Sequence, residues 1–330
     1  MEYREYKKDF SKLGWFYTIG SVLVMIVQIV TTVVVKKVNP ALLEDMNWAL
    51  FFSVVPMYTI AMPIMVLLVS KLPGQAPERR KMKVGAFVLA MIMCFALMYT
   101  SNLVGTMITM IIGVLKGAPV NNDLIEIATN TNLLTNFIYM VILAPILEEL
   151  IFRKLIVDKT RRYGEGIAIL LSGLMFGLFH GNLSQFMYAC VIGFLFAFIY
   201  VRTGNIKISI LMHAIINFMG SILAVLLMRA IDYKALMELT NAEVYDEVAA
   251  MELVMDNLLG WLVYFAYVIL LLGLTIAGVV LLIVFRKRFV LRPSEIVLEK
   301  GKKFSTVFLN SGMIAFFLYW VASIVLQLFE

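Results

Sequence analysis

The hydropathy of this chain comes in blocks, and the blocks set its fold class. Apolar runs of about 17–30 residues recur along it, the length a helix needs to cross a hydrocarbon core about 30 Å thick. They read as Gly14–Val35, Trp48–Ser70, Val84–Leu115, a run from Asn132 through the 143–156 stretch, Gly166–His180, Phe186–Val201, Ile208–Met228, Leu258–Phe285 and Val307–Phe329. Inside a bilayer every backbone N–H and C=O needs an internal partner, which leaves only helices or closed barrels. Runs of this length are helices. The expected fold is an all-α, polytopic transmembrane helix bundle of about 8–9 spans.

Composition and charge placement narrow the class. At 62% hydrophobic and 15% charged, the 330 residues suit a bilayer rather than a soluble core. A net charge of +6 resembles nucleic-acid bias until the basic residues are located. They cluster in short loops at 71–83, 154–162, 202–207 and 286–303, while 116–131 and 230–257 are acidic. That is a topology signal, so no nucleic-acid partner is expected and membrane lipids are. It places the N-terminus in the cytoplasm, with only Lys36 and Lys37 on the wrong side. The opening MEYREYKKDFSK is mixed in charge and the first apolar run exceeds an h-region, so that span reads as an uncleaved anchor. A multi-pass protein of a bacterial plasma membrane is the expectation. Cys94 and Cys190 both sit in apolar runs and read as small buried hydrophobes.

We read 1–330 as a single transmembrane domain in three parts. Residues 1–131 hold spans 1–3, residues 132–228 hold spans 4–7, and residues 229–330 hold an acidic external loop and the last spans. The acidic 230–257 segment has room for a short amphipathic helix.

One stretch breaks the apolar rule. In Leu143–Ile156, LAPILEELIFRKLI, two carboxylates stand side by side inside a span. Each costs roughly 3 kcal/mol at bilayer depth, so both need a wet or protein-lined setting. Four residues separate Glu149 from Arg153, so the two can pair on one helical face. Glu148 lies about 100° around the axis and is free to point elsewhere. Pro145 upstream can kink the span and leave carbonyls unpaired. One carboxylate held and one presented suits a general base.

Both histidines of the chain also lie in spans: His180, four residues after Phe176, and His213, four before Asn217. The second pair puts imidazole and carboxamide on one face, a suitable set of donors for a developing oxyanion. Gly173, Gly177 and Gly181 recur every four residues. Such a stripe lets another helix approach closely, and we expect it to bring His180 near the fourth or seventh span.

EELIFR (Glu148–Arg153), FGLFH (Phe176–His180) and HAIIN (His213–Asn217) match EExxxR, FxxxH and HxxxN motifs in that order. The chain thereby resembles the CPBP family of CAAX proteases and bacteriocin-processing proteins, also called Abi, which includes Rce1-type CAAX endopeptidases. The resemblance covers 145–217 and nothing outside it. It implies an intramembrane endopeptidase acting on a peptide or protein with a membrane-anchored segment, such as a prenylated CAAX-like end or a bacteriocin-type peptide. Glu148 would activate water, assisted by His180. His213 and Asn217 would polarise the scissile carbonyl and hold its oxyanion. Glu149, Arg153 and Phe176 would orient the others.

The family's metalloprotease label would make Glu148, His180 and His213 ligands of Zn2+. No HExxH is present, and a ligating Glu148 could not also be the free base, so the reading requires no cofactor. Two other classes compete with the enzyme. A proton-coupled transporter would use the same carboxylates and histidines as a relay and would show repeated halves, which the sequence lacks. A non-catalytic bacteriocin-immunity or scaffold protein would keep them as a folding network.

Overall fold

A computed structural model describes residues 2–120, 123–240 and 246–329. Among them the regular structure is helical. Six helices are long and apolar enough to cross a membrane. They are α1 (Glu2–Val38), α2 (Met46–Ser70), α3 (Val84–Lys116), and then, past the short helix Asp123–Asn130 and two longer helices, Leu183–Thr203, Ile206–Ala230 and the helix containing Leu258–Phe285. The two longer ones are α4, a continuous but irregular helix over 133–160 that carries the charged stretch, and α5 (Glu165–Phe179). In chain order the later ones are therefore α6 (Leu183–Thr203), α7 (Ile206–Ala230), α8 (Leu258–Phe285) and α9 (Ser311–Gln327).

The spans match the sequence expectation except at their ends. The first apolar run ends a helix that starts near the N-terminus, and the ninth begins at Ser311 because Asn310 caps it, its side chain accepting from the Met313 N–H. The acidic segment forms two short helices, Tyr233–Thr240 and Glu247–Asp256, with 241–245 outside the described residues.

Lipid tails are as apolar as leucine, so the helices are held together by close packing rather than by hydrophobic exclusion. Glycine makes that possible. A Cβ on Gly312 of α9 would lie 1.8 Å from the Ser11 carbonyl oxygen of α1. The glycine stripe of α5 works the same way but against a different partner from the expected one. A Cβ on Gly173 would strike the Phe194 ring, and one on Gly177 the Cys190 sulfur, both on α6. The short α5–α6 turn makes these helices antiparallel neighbours, so Gly173 and Gly177 serve their contact and not one with α4 or α7, while Gly181 meets Trp320 of α9. Cys94 and Cys190 are buried free thiols.

The four basic loops meet at one end of the bundle. Gln75 N–H donates to the Asp158 carbonyl (2.7 Å), Arg80 N–H to Thr203 (2.7 Å), and Ile296 N–H to Arg162 (2.9 Å). At the other end Asn132 N–H donates to the Asn47 side chain, 2.9 Å away. Charge segregation along the sequence is thus segregation in space.

Candidate active site

The site is built on α4, whose backbone departs from α geometry twice. Phe137–Leu143 and Glu149–Leu155 are π-helical. Such turns are widened and commonly accompany functional positions. The first has a sequence cause. Ala144 N–H donates five residues back to Tyr139. In that register Pro145 would serve Met140, but proline has no N–H. Asn217 of α7 fills the vacancy: its Nδ2 donates to the Met140 carbonyl at 2.8 Å. In the second widened run, Tyr17 of α1 donates to the Ile151 carbonyl (2.5 Å) and Ser172 of α5 to Phe152 (2.7 Å). Three neighbouring helices therefore pin α4 through its own freed carbonyls.

Glu149 and Arg153 form the expected pair, at 3.2 Å, with both side chains fully buried. The guanidinium carbon lies 3.9 Å from the centroid of Phe176 and 5.5 Å from that of Phe196. Its two terminal nitrogens have no hydrogen-bond partner, and the aromatic faces take the place of acceptors. Phe176 thus orients the arginine.

Glu149 also faces α7. Its Oε1 lies 3.1 Å from His213 Nδ1, which donates to it. The other ring nitrogen, Nε2, is turned to Glu148, 3.7 Å from its Oε2. Glu148 keeps 19% of its side chain exposed, against none for Glu149. The adjacent glutamates have separate settings: one is sealed behind the imidazole and one is presented in front of it.

His180 closes α5. Its Nδ1 donates to the Phe176 carbonyl at 2.9 Å, leaving Nε2 as an acceptor. The ring packs edge-on to Phe176 and lies within electrostatic reach of Glu148 and His213. On the sequence alone its depth conflicts with that of Glu148, because 154–162 reads as a basic loop. Instead α4 continues to Thr160, twelve residues past Glu148 (148 to 160), or roughly 18 Å. His180 is fifteen residues from Glu165 (165 to 180), or roughly 22 Å. The two depths agree.

No group of three His, Cys, Asp or Glu side chains among the described residues has the proximity to hold a metal ion. His213 Nε2 lies 3.7 Å from Glu148, and His180 holds its Nδ1 on a backbone carbonyl with Nε2 left free.

Sequence reasoning missed Tyr17 and Ser172, and also Tyr58 and Tyr188, which approach closely enough to feel the Glu148 charge. With 14 tyrosines in the chain, no spacing marked these three.

Residues 130–219 match the family described as type II CAAX prenyl endopeptidase Rce1-like. All the motif residues brought together above fall inside that segment. Over this core the chain is similar to that family, consistent with the resemblance to the CPBP family. The Bacillus subtilis protein named "Putative membrane peptidase YdiL" is 40% identical over 80 residues, 23% of this chain and 32% of that relative. The match thus spans about a third of the relative's length. No solved structure matches the chain.

Proposed function

We propose that the chain is a membrane-embedded endopeptidase that uses a glutamate-activated water to hydrolyse a peptide bond in a membrane-anchored substrate. The observation that carries this reading is the unequal placement of Glu148 and Glu149 on either side of His213.

Glu148 takes a proton from water while His180 Nε2 accepts a hydrogen bond from the same water. The hydroxide adds to the scissile carbonyl carbon. The oxyanion accepts from His213 Nε2–H, and Glu149 stabilises the imidazolium that supplies it. Asn217 has one amide hydrogen committed to Met140 and a second left for the oxyanion. On collapse the C–N bond breaks, and Glu148 returns its proton to the leaving amine. No step requires a metal. The motif residues and the family similarity support a CAAX-like or other lipid-anchored peptide as substrate. The basic loops support a cytoplasmic face for their end of the bundle.

The test is turnover of fluorogenic peptides, one of them prenylated with a CAAX end, by purified protein in detergent with and without a strong zinc chelator. Turnover that survives chelation supports the water-activating glutamate. Turnover lost to chelation and restored by zinc would reassign His180 and His213 as ligands. No turnover, together with proton flux in liposomes, would favour the carrier.

A further inference from the structure

The basic end of the bundle holds a second polar site, separate from the motif glutamates. A cleft of about 260 Å³ opens between the extended strap after α2, the ends of α4 and α6, and the segment after α8. Each of these four pieces contributes one arginine: Arg80, Arg161, Arg202 and Arg292. Nothing local in the sequence brings them together. The strap is held down by Arg80 N–H on the Thr203 carbonyl, and the final segment by Arg292 N–H on Glu165, each at 2.7 Å.

The carboxylates nearby do not balance this charge. Glu78 pairs with Arg80 at 2.6 Å but is 76% exposed. Its carboxyl is held below the ordinary range by Arg80 first and by Arg292 more weakly. Glu165 is buried and pairs with Arg202 at 2.8 Å. Asp158, close by, is taken by Tyr200 (2.8 Å) and Lys154 (3.2 Å). Four guanidiniums against Glu78 and Glu165 leave an excess of two positive charges (4 − 2). Arg161 has no ion pair among the described residues, and its Nε is buried without a hydrogen-bond partner.

Like charges gathered from four parts of a fold repel one another unless an anion joins them. Guanidiniums offer paired N–H donors that suit the oxygens of a phosphate. We propose that this cleft binds a phosphate group, carried either by an anionic phospholipid headgroup at the membrane surface or by a soluble phosphate compound. Bound there, it would clamp the two extended segments onto the ends of α4 and α6.

The experiment reads the thermal midpoint of the full chain in neutral detergent. One arm adds sodium phosphate, with sodium chloride at equal ionic strength as its control. The other adds mixed micelles of dioleoylphosphatidylglycerol, with dioleoylphosphatidylcholine as its control. A ligand well above its Kd should raise the midpoint by about 3–6 °C. A rise in both arms assigns the phosphate itself, and a rise with phosphatidylglycerol alone assigns the lipid headgroup. The Arg161→Gln/Arg292→Gln variant should lose most of the shift. Lys36→Gln/Lys37→Gln, at the opposite end, should keep it. If the double arginine variant does not fold, Arg161→Lys keeps the charge without the fork and should lose at least half the shift. No rise in either arm, or a rise that survives the arginine variants, overturns the site.

Discussion

The fourth and eighth helices solve opposite problems in the same membrane. α8 is the more apolar: its best window has a mean hydropathy of 3.1 with 6% buried inside the bundle. It stays regular throughout, satisfies its own backbone, and meets α3 closely at Gly278, where a Cβ would lie 2.3 Å from the Ile92 carbonyl oxygen. α4 carries two glutamates and an arginine, widens twice, and depends on Tyr17, Ser172 and Asn217 for its carbonyls. Lipid suffices as the surroundings of α8. α4 needs surroundings built from other helices. The polar positions are therefore where this fold is most easily broken, although they are few.

That contrast can be tested in order of expected effect. Arg153→Met should be the most damaging, at about 3–5 kcal/mol, because it strands the buried Glu149 charge. Pairing it with Glu149→Gln should recover much of the loss in a chemical-denaturation series, and no recovery would mean that the ion pair does not set the cost. Asn217→Ala should cost about 1–3 kcal/mol by leaving the Met140 carbonyl unserved beside Pro145. Asn217→Gln, if its amide still reaches, should restore the midpoint without restoring turnover, which separates bracing from oxyanion binding. On α8, Ile269→Ala faces lipid and should change stability by less than about 0.5 kcal/mol, a value checked in the same series. A large loss there would mean that α8 is covered by protein.

The smallest effect concerns pH and lies outside the membrane. Asp45 caps α2, and its hydrogen bonds with Asn47 hold its carboxyl below the ordinary range. A depressed carboxyl contributes stability that is present above its unfolded pKa and is lost as pH falls through the folded one. Thermal midpoints of wild type and Asp45→Asn should therefore converge under acid, since asparagine also caps but does not titrate. Equal midpoints at every pH would show that the carboxylate's charge adds nothing to the cap.

Much of this was legible in the sequence, for reasons the same contrast explains. α8 could be bounded from hydropathy alone, since nothing but apolar length determines it. The 149/153 pair was legible because helical spacing fixes which side chains share a face. The C-terminal extent of α4 was not. Lys154 and Asp158 fall in the segment read as a basic loop, yet the helix continues through them to Thr160, packed against α5. The partner of the glycine stripe was equally hidden, because spacing shows that a helix can be approached and not by which neighbour. Tyr58 on α2 and Tyr188 on α6 come within electrostatic range of Glu148 by tertiary placement alone.

The central claim is the division of labour between two adjacent glutamates, and one paired measurement tests it directly. Peptide turnover and thermal midpoint would be recorded together for wild type, Glu148→Gln and Glu149→Gln. The expected result is that Glu148→Gln loses turnover by about 10²–10⁴-fold with its midpoint unchanged, while Glu149→Gln lowers the midpoint as well. Retained turnover in Glu148→Gln, or an equal loss of stability in both variants, would contradict the account.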